Sequence, residues 1–233
     1  MSAKRLPILI AFVVLLVAAV AVVLLTRDEP ETGGADAAAY PEGCEPVAES
    51  DLPEPREYSL SAPDGPPPEG PVEATIATNC GELVADLDTR GFPKTVASFI
   101  QQADEGVYDD NVIFRVEPDF VFQTGSPTQD ATGDAGYSIA EDVPPDTEYL
   151  RGAVAMGKSA VDPPGGSSSQ YFVVTAPADG GLPPDYAPVG QVQEESFDVL
   201  DRINELAGTP DPATGQSEPT APLVVFSVSI SEA

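Results

Sequence analysis

Short apolar runs separated by polar residues and turns dominate the chain from residue 72 onward. Residues 74–78 and 82–88 alternate between apolar and polar on either side of an Asn-Cys-Gly turn, which predicts a β-hairpin. Later apolar runs predict further strands at residues 112–116, 120–123, 152–157, 169–176 and 222–231. The pattern therefore indicates a folded, mainly β domain over residues 72–233.

Two segments of this domain show helical spacing instead. The first begins with Pro93, which suits the first turn of a helix, and stops at Gly106, while the second stops at Gly208. Their apolar positions are Val96, Phe99, Ile100 and Ala103 in the first, and Phe197, Leu200, Ile203 and Leu206 in the second. Many short strands with two amphipathic helices predict a closed β-barrel whose ends the two α-helices cap.

The N-terminal part has the pattern of a membrane segment. Lys4 and Arg5 precede an uncharged run over residues 6–25, and about 20 apolar residues suffice to cross the hydrocarbon core. We therefore predict a single transmembrane anchor at 6–25, with residues 1–5 in the cytoplasm and the C-terminal domain outside it, at the cell membrane. The alternative is a cleaved signal peptide, whose apolar region is normally shorter, about 7–15 residues.

Residues 26–71 differ in composition from both of their neighbours. They are acidic and rich in proline, alanine and glycine, as in the stretch DEPETGGADAAAYPEGCEP. Such a segment buries little apolar surface, and its like charges repel one another. We interpret it as a mostly disordered, extended linker that holds the domain away from the membrane.

Acidic residues dominate the charge of the chain, with 39 Asp and Glu against 10 Lys and Arg, a net charge of −29. Because a polyanion repels phosphate-rich partners, nucleic acid is excluded. We interpret the charge as a well-solvated surface, with cationic partners or calcium as the alternative. The sequence contains no histidine, which excludes a Ser-His or Cys-His nucleophile and removes the commonest metal ligand. We expect no metal and no cofactor.

The sequence contains two cysteines, Cys44 in the linker and Cys80 at the tip of the predicted hairpin. Outside the cytoplasm an even number of cysteines favours pairing, and a Cys44–Cys80 disulfide would pin the middle of the linker to the domain. The alternative is two unpaired thiols.

One scarce cation, Arg115, stands inside the apolar run 112–116. Strand alternation places it on the same face as Ile113 and Glu117, opposite the apolar face, and near Phe120 and Gln123 of the next run. A guanidinium beside aromatic walls and an amide is a candidate binding or catalytic group. The alternative is an ordinary exposed arginine, or one in a salt bridge with a nearby acid.

Residues 74–230 resemble the cyclophilin-type peptidyl-prolyl cis-trans isomerases, and the N-terminal run points to a bacterial, membrane-anchored member. FPKTVASFIQQADEGVYDDNVIFRVEPDFVFQTGSP is similar to the first helix and following strand pair of that family. GAVAMG, GSSSQYFVVTA and LPPDYAPVGQV resemble its later motifs in the same order. The resemblance implies a closed eight-stranded antiparallel β-barrel capped by two helices.

The resemblance also implies an enzyme that interconverts the cis and trans forms of X-Pro bonds, acting as a monomer on Pro-containing segments of exported proteins. The barrier to this rotation is about 18–20 kcal/mol, and a donor to the prolyl nitrogen lowers it by favouring the twisted amide. Arg115 is the implied catalytic donor, Gln123 binds the substrate backbone and Gln170 lies near the subsite before proline. The implied proline pocket is lined by Phe120, Val121, Phe172 and Leu182.

Four positions depart from the pattern of that family: Phe114, Gly157, Gly181 and Val189. Valine at 189 stands where the family has phenylalanine, so we expect a shallower pocket with a weaker grip on proline, by about 1–2 kcal/mol. These departures leave open a second interpretation. The domain is then a module that binds Pro-containing segments or an envelope partner, with weak or no catalysis.

Overall fold

The computed structural model of the chain describes residues 40–233. The predicted cytoplasmic N-terminus, the anchor at 6–25 and the first part of the linker lie outside these residues. Within the described residues, no helix combines the length and the apolar character that crossing a bilayer requires.

The domain is built mainly from one curled, nine-stranded antiparallel sheet. Its strands follow the order β3-β11-β1-β2-β10-β7-β9-β5-β4, and β6 and β8 form a separate pair. The strands are β1 Val72–Thr78, β2 Gly81–Leu87, β3 Asn111–Val112, β4 Arg115–Glu117, β5 Val121–Thr124, β6 Ile139–Ala140, β7 Ala153–Met156, β8 Gly166–Ser167, β9 Tyr171–Val174, β10 Pro188–Val192 and β11 Val224–Glu232. The helices are α1 Pro93–Asp104 and α2 Phe197–Glu205, with 3-10 turns at Glu49–Asp51 and Glu194–Ser196.

Both predicted helices and the predicted hairpin are confirmed. α1 starts with Pro93 at its first turn and α2 ends three residues before Gly208. β1 and β2 pair with Thr78 opposite Gly81, and Gly81 has φ of 122°, a left-handed conformation that glycine adopts without strain.

The main core lies on one face of the sheet, where both helices bury their apolar faces. Phe99 of α1 contacts Tyr108 and Tyr171, with ring centroids 4.9 and 5.5 Å apart. Leu200 and Ile203 of α2 are fully buried in the same core. The sheet supplies the rest of the core through alternate residues of its strands, because successive side chains of a strand point to opposite faces.

The predicted strand over residues 112–116 was wrong, because the structure divides it into β3 and β4. β3 pairs with β11 and β4 pairs with β5, so the two pieces form opposite edges of the same sheet. Ile113 and Phe114 connect them, and the Ile113 amide donates to Leu223 O (2.9 Å). The sequence predicts a closed eight-stranded barrel, whereas the ladders form one curled sheet whose two edges adjoin through this connection and do not pair.

Part of the predicted linker lies on the domain surface, and we call residues 40–60 the N-terminal strap. The phenol of Tyr40 donates to Pro222 O (2.8 Å), and that of Tyr58 donates to Gly106 O (2.9 Å). The amide of Leu60 donates to Ala135 O (2.9 Å). The prediction of a mostly disordered linker was therefore wrong for the strap, because hydrogen bonds attach it and Tyr40, Tyr58 and Leu60 also pack against the main core.

The structure pairs Cys44 of the strap with Cys80, which is fully buried at the β1–β2 turn. Asn79 adds two hydrogen bonds beside the disulfide: its carbonyl accepts from the Glu45 amide (2.6 Å) and its side-chain amide donates to Glu45 O (2.9 Å). The disulfide thus closes a loop across a sequence separation of 36 residues.

Candidate active site

The predicted site residues come together on the face of the sheet opposite the main core, on the neighbouring strands β4, β5 and β9 and in segments next to them. Arg115 of β4 lies opposite Gln123 of β5, Gln123 lies opposite Phe172 of β9, and Phe172 lies opposite Ala155 of β7. Residues directly opposite each other in a ladder share one face. The register therefore aligns a guanidinium, an amide and an aromatic ring in one row.

An apolar cluster adjoins this row and is separate from the main core. Its buried members are Val121, Tyr149, Ala155, Phe172, Val174 and Ala176, and Phe120, Ala153, Leu182 and Tyr186 pack against them. All four residues predicted to line a proline pocket belong to the cluster or pack against it. The cluster is an apolar surface of the kind that a proline ring requires.

Three aromatic rings give the cluster a defined shape. Phe172 and Tyr186 meet edge to face with centroids 5.2 Å apart, and Tyr149 lies 6.2 Å from Tyr186. The Tyr149 hydroxyl donates to Tyr186 O (2.6 Å) and accepts from the Tyr186 amide (3.1 Å). Burial raises the pKa of Tyr149 above its ordinary value, so this phenol stays protonated and serves as a brace for the segment carrying Tyr186.

Two of the three guanidinium nitrogens of Arg115 are held by neighbouring side chains. Nε donates to Glu117 Oε1 (3.0 Å) and Nη1 donates to Gln123 Oε1 (3.2 Å). The side chain of Arg115 is 24% exposed, and among the described residues none accepts from Nη2. The arginine therefore presents free N–H donors next to the apolar cluster.

A chain of hydrogen bonds continues from Arg115 and fixes the direction of both amides. Gln123 Nε2 donates to Gln170 Oε1 (3.0 Å), and Gln170 Nε2 donates to Ala131 O (3.0 Å) and Gly133 O (3.1 Å). Because each amide oxygen accepts from the preceding group, neither glutamine can turn over without breaking the chain. Gln123 and Gln170 are thus in direct contact, and the place of Gln170 near the subsite before proline stays a prediction.

The sequence left open a salt bridge between Arg115 and a nearby acid, and the structure forms it with Glu117, which lies on the same face. Only 8% of Glu117 is exposed, and its carboxylate accepts from Arg115 and from the amide and hydroxyl of Ser217, all at 3.0 Å. Burial opposes ionisation, but the hydrogen bonds from Arg115 and Ser217 outweigh it and lower the pKa of Glu117. An acid two residues after a scarce arginine was the signal that the sequence offered.

Ionised Glu117 should make the free energy of unfolding depend on pH. Since its pKa is lower in the folded state, its stabilisation is complete above the ordinary Glu pKa of 4.5 and is lost as pH falls through the folded value. We expect Glu117→Gln to lower the free energy of unfolding by about 1–2 kcal/mol at pH 7, and the difference to shrink toward zero in acid. Urea unfolding of the wild-type protein and of Glu117→Gln at several pH values measures this difference in the free energy of unfolding. Glu82→Gln, an exposed site on β2, is the control, and a difference independent of pH would contradict the prediction.

The departures from the family pattern have different positions in the structure. Val189 packs in the main core and not in the apolar cluster, so the expectation that this position makes the proline pocket shallower was wrong. The strength of the grip on proline stays a prediction. Gly157 borders the site, because a Cβ there would lie 3.3 Å from Gln123 Nε2. A Cβ at Gly181 would meet no atom within 4 Å, so the edge of the cluster near Leu182 is open.

A groove with a volume of about 1000 Å³ lies beside the site and does not lie over the apolar cluster. Its walls come from the strap near Leu52, from Phe114 and from the loop at 209–223, and Arg115 is the predicted site residue that it shares. We place the candidate site at the row and the cluster, because the convergent polar groups lie there.

The comparisons with known proteins agree with this geometry. The model of the family described as cyclophilin type peptidyl-prolyl cis-trans isomerase matches residues 73–230. "Probable peptidyl-prolyl cis-trans isomerase A" of Mycobacterium leprae is 31% identical over 175 residues, which cover 68% of this chain and 91% of that protein. "Probable peptidyl-prolyl cis-trans isomerase B" of the same organism is 32% identical over 147 residues, and the match covers 57% of this chain and 48% of that protein. The chain thus spans about half the length of the isomerase B relative.

Solved structures show the same fold. A cyclophilin type peptidyl-prolyl cis-trans isomerase of Cryptosporidium parvum superposes with a TM-score of 0.60 at 20% identity, covering 70% of this chain and 99% of that one. A second structure of that protein, obtained in the presence of the dipeptide Ala-Pro, gives a TM-score of 0.58 at 21% identity.

Proposed function

Because this chain belongs to the cyclophilin-type peptidyl-prolyl cis-trans isomerase family, we propose that it catalyses cis/trans isomerisation of X-Pro bonds. The observation that carries the proposal is the row of Arg115, Gln123 and Phe172 beside the apolar cluster. No bond is made or broken in this reaction, so a site without a nucleophile suffices.

In the proposed mechanism the proline ring rests on the apolar cluster, against Phe172 and Leu182. The free N–H groups of Arg115 donate to the prolyl nitrogen, whose lone pair becomes available as the amide twists out of conjugation. This hydrogen bond is stronger in the twisted transition state than in either planar ground state, and that difference lowers the barrier. Gln123 holds the neighbouring backbone of the substrate, which fixes the part of the chain that does not rotate.

The direct test is exchange spectroscopy on a short peptide containing one X-Pro bond, with the full chain added in catalytic amounts. Uncatalysed exchange takes tens to hundreds of seconds, so acceleration is easily measured. We expect exchange to become faster in proportion to protein concentration. Peptide binding without any acceleration would overturn the proposal.

A second candidate function is a module that binds Pro-containing segments without catalysis. The observation in its favour is that Nη1 of Arg115 and the amides of Gln123 and Gln170 are already engaged with one another by hydrogen bonds. A bound peptide must compete with these contacts, which suits slow or weak turnover. The exchange experiment separates the two candidates, since the module lowers the free peptide concentration but leaves the exchange rate of bound peptide unchanged.

We further propose that the clients are exported proteins and that the run at 6–25 anchors the chain in the cell membrane. The charge pattern around that run supports this location, and the disulfide suits an oxidising compartment. Fractionation of cells that make the full chain tests it: the protein should resist alkaline carbonate and dissolve in detergent. Release into the soluble fraction by carbonate would contradict the anchor.

A further inference from the structure

The carboxylate of Glu117 lies between the guanidinium of Arg115 and Ser217 of the loop before β11. We propose that Glu117 is a positioning residue, which holds Arg115 in the orientation that the reaction needs and is itself held by Ser217. The inference rests on the proposed function, because the orientation of Arg115 matters only if Arg115 donates to a prolyl nitrogen.

The contacts of Glu117 use both oxygens and leave it little freedom. Oε1 accepts from Arg115 Nε and from the Ser217 amide, and Oε2 accepts from the Ser217 hydroxyl, each at 3.0 Å. Ser217 is 1% exposed, so the far side of the carboxylate is closed to water. The main chain of the loop is also fixed, because the Val116 amide donates to Ser217 O (3.0 Å).

Two anchors on a planar guanidinium determine where its third nitrogen points. Glu117 holds Nε and Gln123 holds Nη1, from the same strand and from the neighbouring strand. Arginine is long and flexible, and a single contact would leave the group free to rotate about it. With both contacts in place, Nη2 has one direction, which is the condition for a donor that acts at a short-lived transition state.

The structure also explains why a carboxylate can serve here without entering the substrate site. Residues two apart in a strand lie on the same face, so Glu117 reaches Arg115 along β4 while Gln123 approaches it across the ladder. Glu117 lies opposite Val121 and is covered by the loop at Ser217. With 8% of its surface exposed, Glu117 acts through Arg115.

The test measures kcat and KM separately for variants of the full chain. We expect Glu117→Ala to lower kcat about tenfold or more while KM changes less than about twofold, because the apolar cluster is untouched. Glu117→Gln keeps an oxygen acceptor for Nε and should recover most of the loss. Ser217→Ala removes one support and should lower kcat about threefold. Glu82→Ala, on the exposed face of β2, is the matched control.

A double-mutant cycle distinguishes positioning from a general effect on structure. If Glu117 acts through Arg115, adding Glu117→Ala to Arg115→Ala changes kcat/KM by less than about twofold. Losses that multiply would overturn the inference, as would a normal kcat in Glu117→Ala. Should Glu117→Ala fail to fold, Glu117→Gln and Ser217→Ala give the answer, and wild-type kcat in both overturns the inference. A wild-type protein that does not accelerate exchange refutes the proposed function instead, so the two failures are distinct.

Discussion

Replacement of Arg115 by lysine should lower kcat/KM for X-Pro isomerisation by about 10²-fold, and replacement by alanine by up to about 10³-fold. Losses of this size are typical when one donor to a developing charge is removed. Lysine keeps the positive charge beside Glu117, which protects the fold. Its ammonium group cannot serve Glu117, Gln123 and a prolyl nitrogen in one plane as the guanidinium does.

The matched control for this replacement is Arg202→Lys. Arg202 of α2 is equally enclosed, with 21% of its side chain exposed against 24% for Arg115, and it also pairs with a carboxylate, Asp198. It lies outside the row and the apolar cluster, so its replacement should leave kcat/KM within about twofold of wild type. Exchange spectroscopy and circular dichroism together give the result. Arg115→Lys with more than a third of wild-type kcat/KM would count against the proposed mechanism.

Removal of the Cys44–Cys80 disulfide should produce the largest loss of stability. The bridge closes a loop of 36 residues, for which the loss of chain entropy in the unfolded state corresponds to about 4 kcal/mol. In a domain of this size such a loss lowers Tm by about 8–16 °C. We expect the double replacement Cys44→Ser, Cys80→Ser to unfold correspondingly earlier in a thermal scan.

The same experiment contains its own control. A reducing agent should lower the Tm of the wild-type protein to that of the double variant and leave the double variant unchanged. The two hydrogen bonds between Asn79 and Glu45 do not depend on the sulfurs. They should therefore still hold the strap against the domain when the disulfide is absent. A difference in Tm of less than about 2 °C would mean that the strap is held without the disulfide.

The elements that the sequence predicts correctly are those in which apolar residues recur at a regular spacing. In the hairpin β1–β2 and in the helices α1 and α2, apolar residues recur several times at the spacing of a strand or a helix. The structure contains all of these elements, with small shifts at their ends. β3, β6 and β8 have two residues each, too few to show any period. The run at 112–116 looks continuous because apolar residues stand on both sides of Arg115, yet its two parts form opposite edges of the sheet.

The candidate site was largely predictable because strand register carries it. Arg115, Gln123 and Phe172 share a face because side chains alternate along each strand. Their assignment to one site came from the resemblance of the motifs to those of the cyclophilin-type family. The supporting residues were not predictable in this way. Ser217 lies 100 residues from Glu117 in the chain, in a segment without periodicity, and only the folded chain brings them together. The same holds for the strap, whose hydrogen bonds, disulfide and packing contacts with the main core join residues far apart in the chain.

The edge strands of the sheet limit how a client can be held. The Val116 amide of β4 is taken by Ser217, and the Val112 amide of β3 is taken by the side chain of Gln129 (2.8 Å). An extended peptide that adds itself as a further strand needs free backbone groups along such an edge, and here the outward amides of β3 and β4 are occupied. Under the proposed function, a client is gripped through its proline and a few polar contacts, which favours rapid release after each turnover.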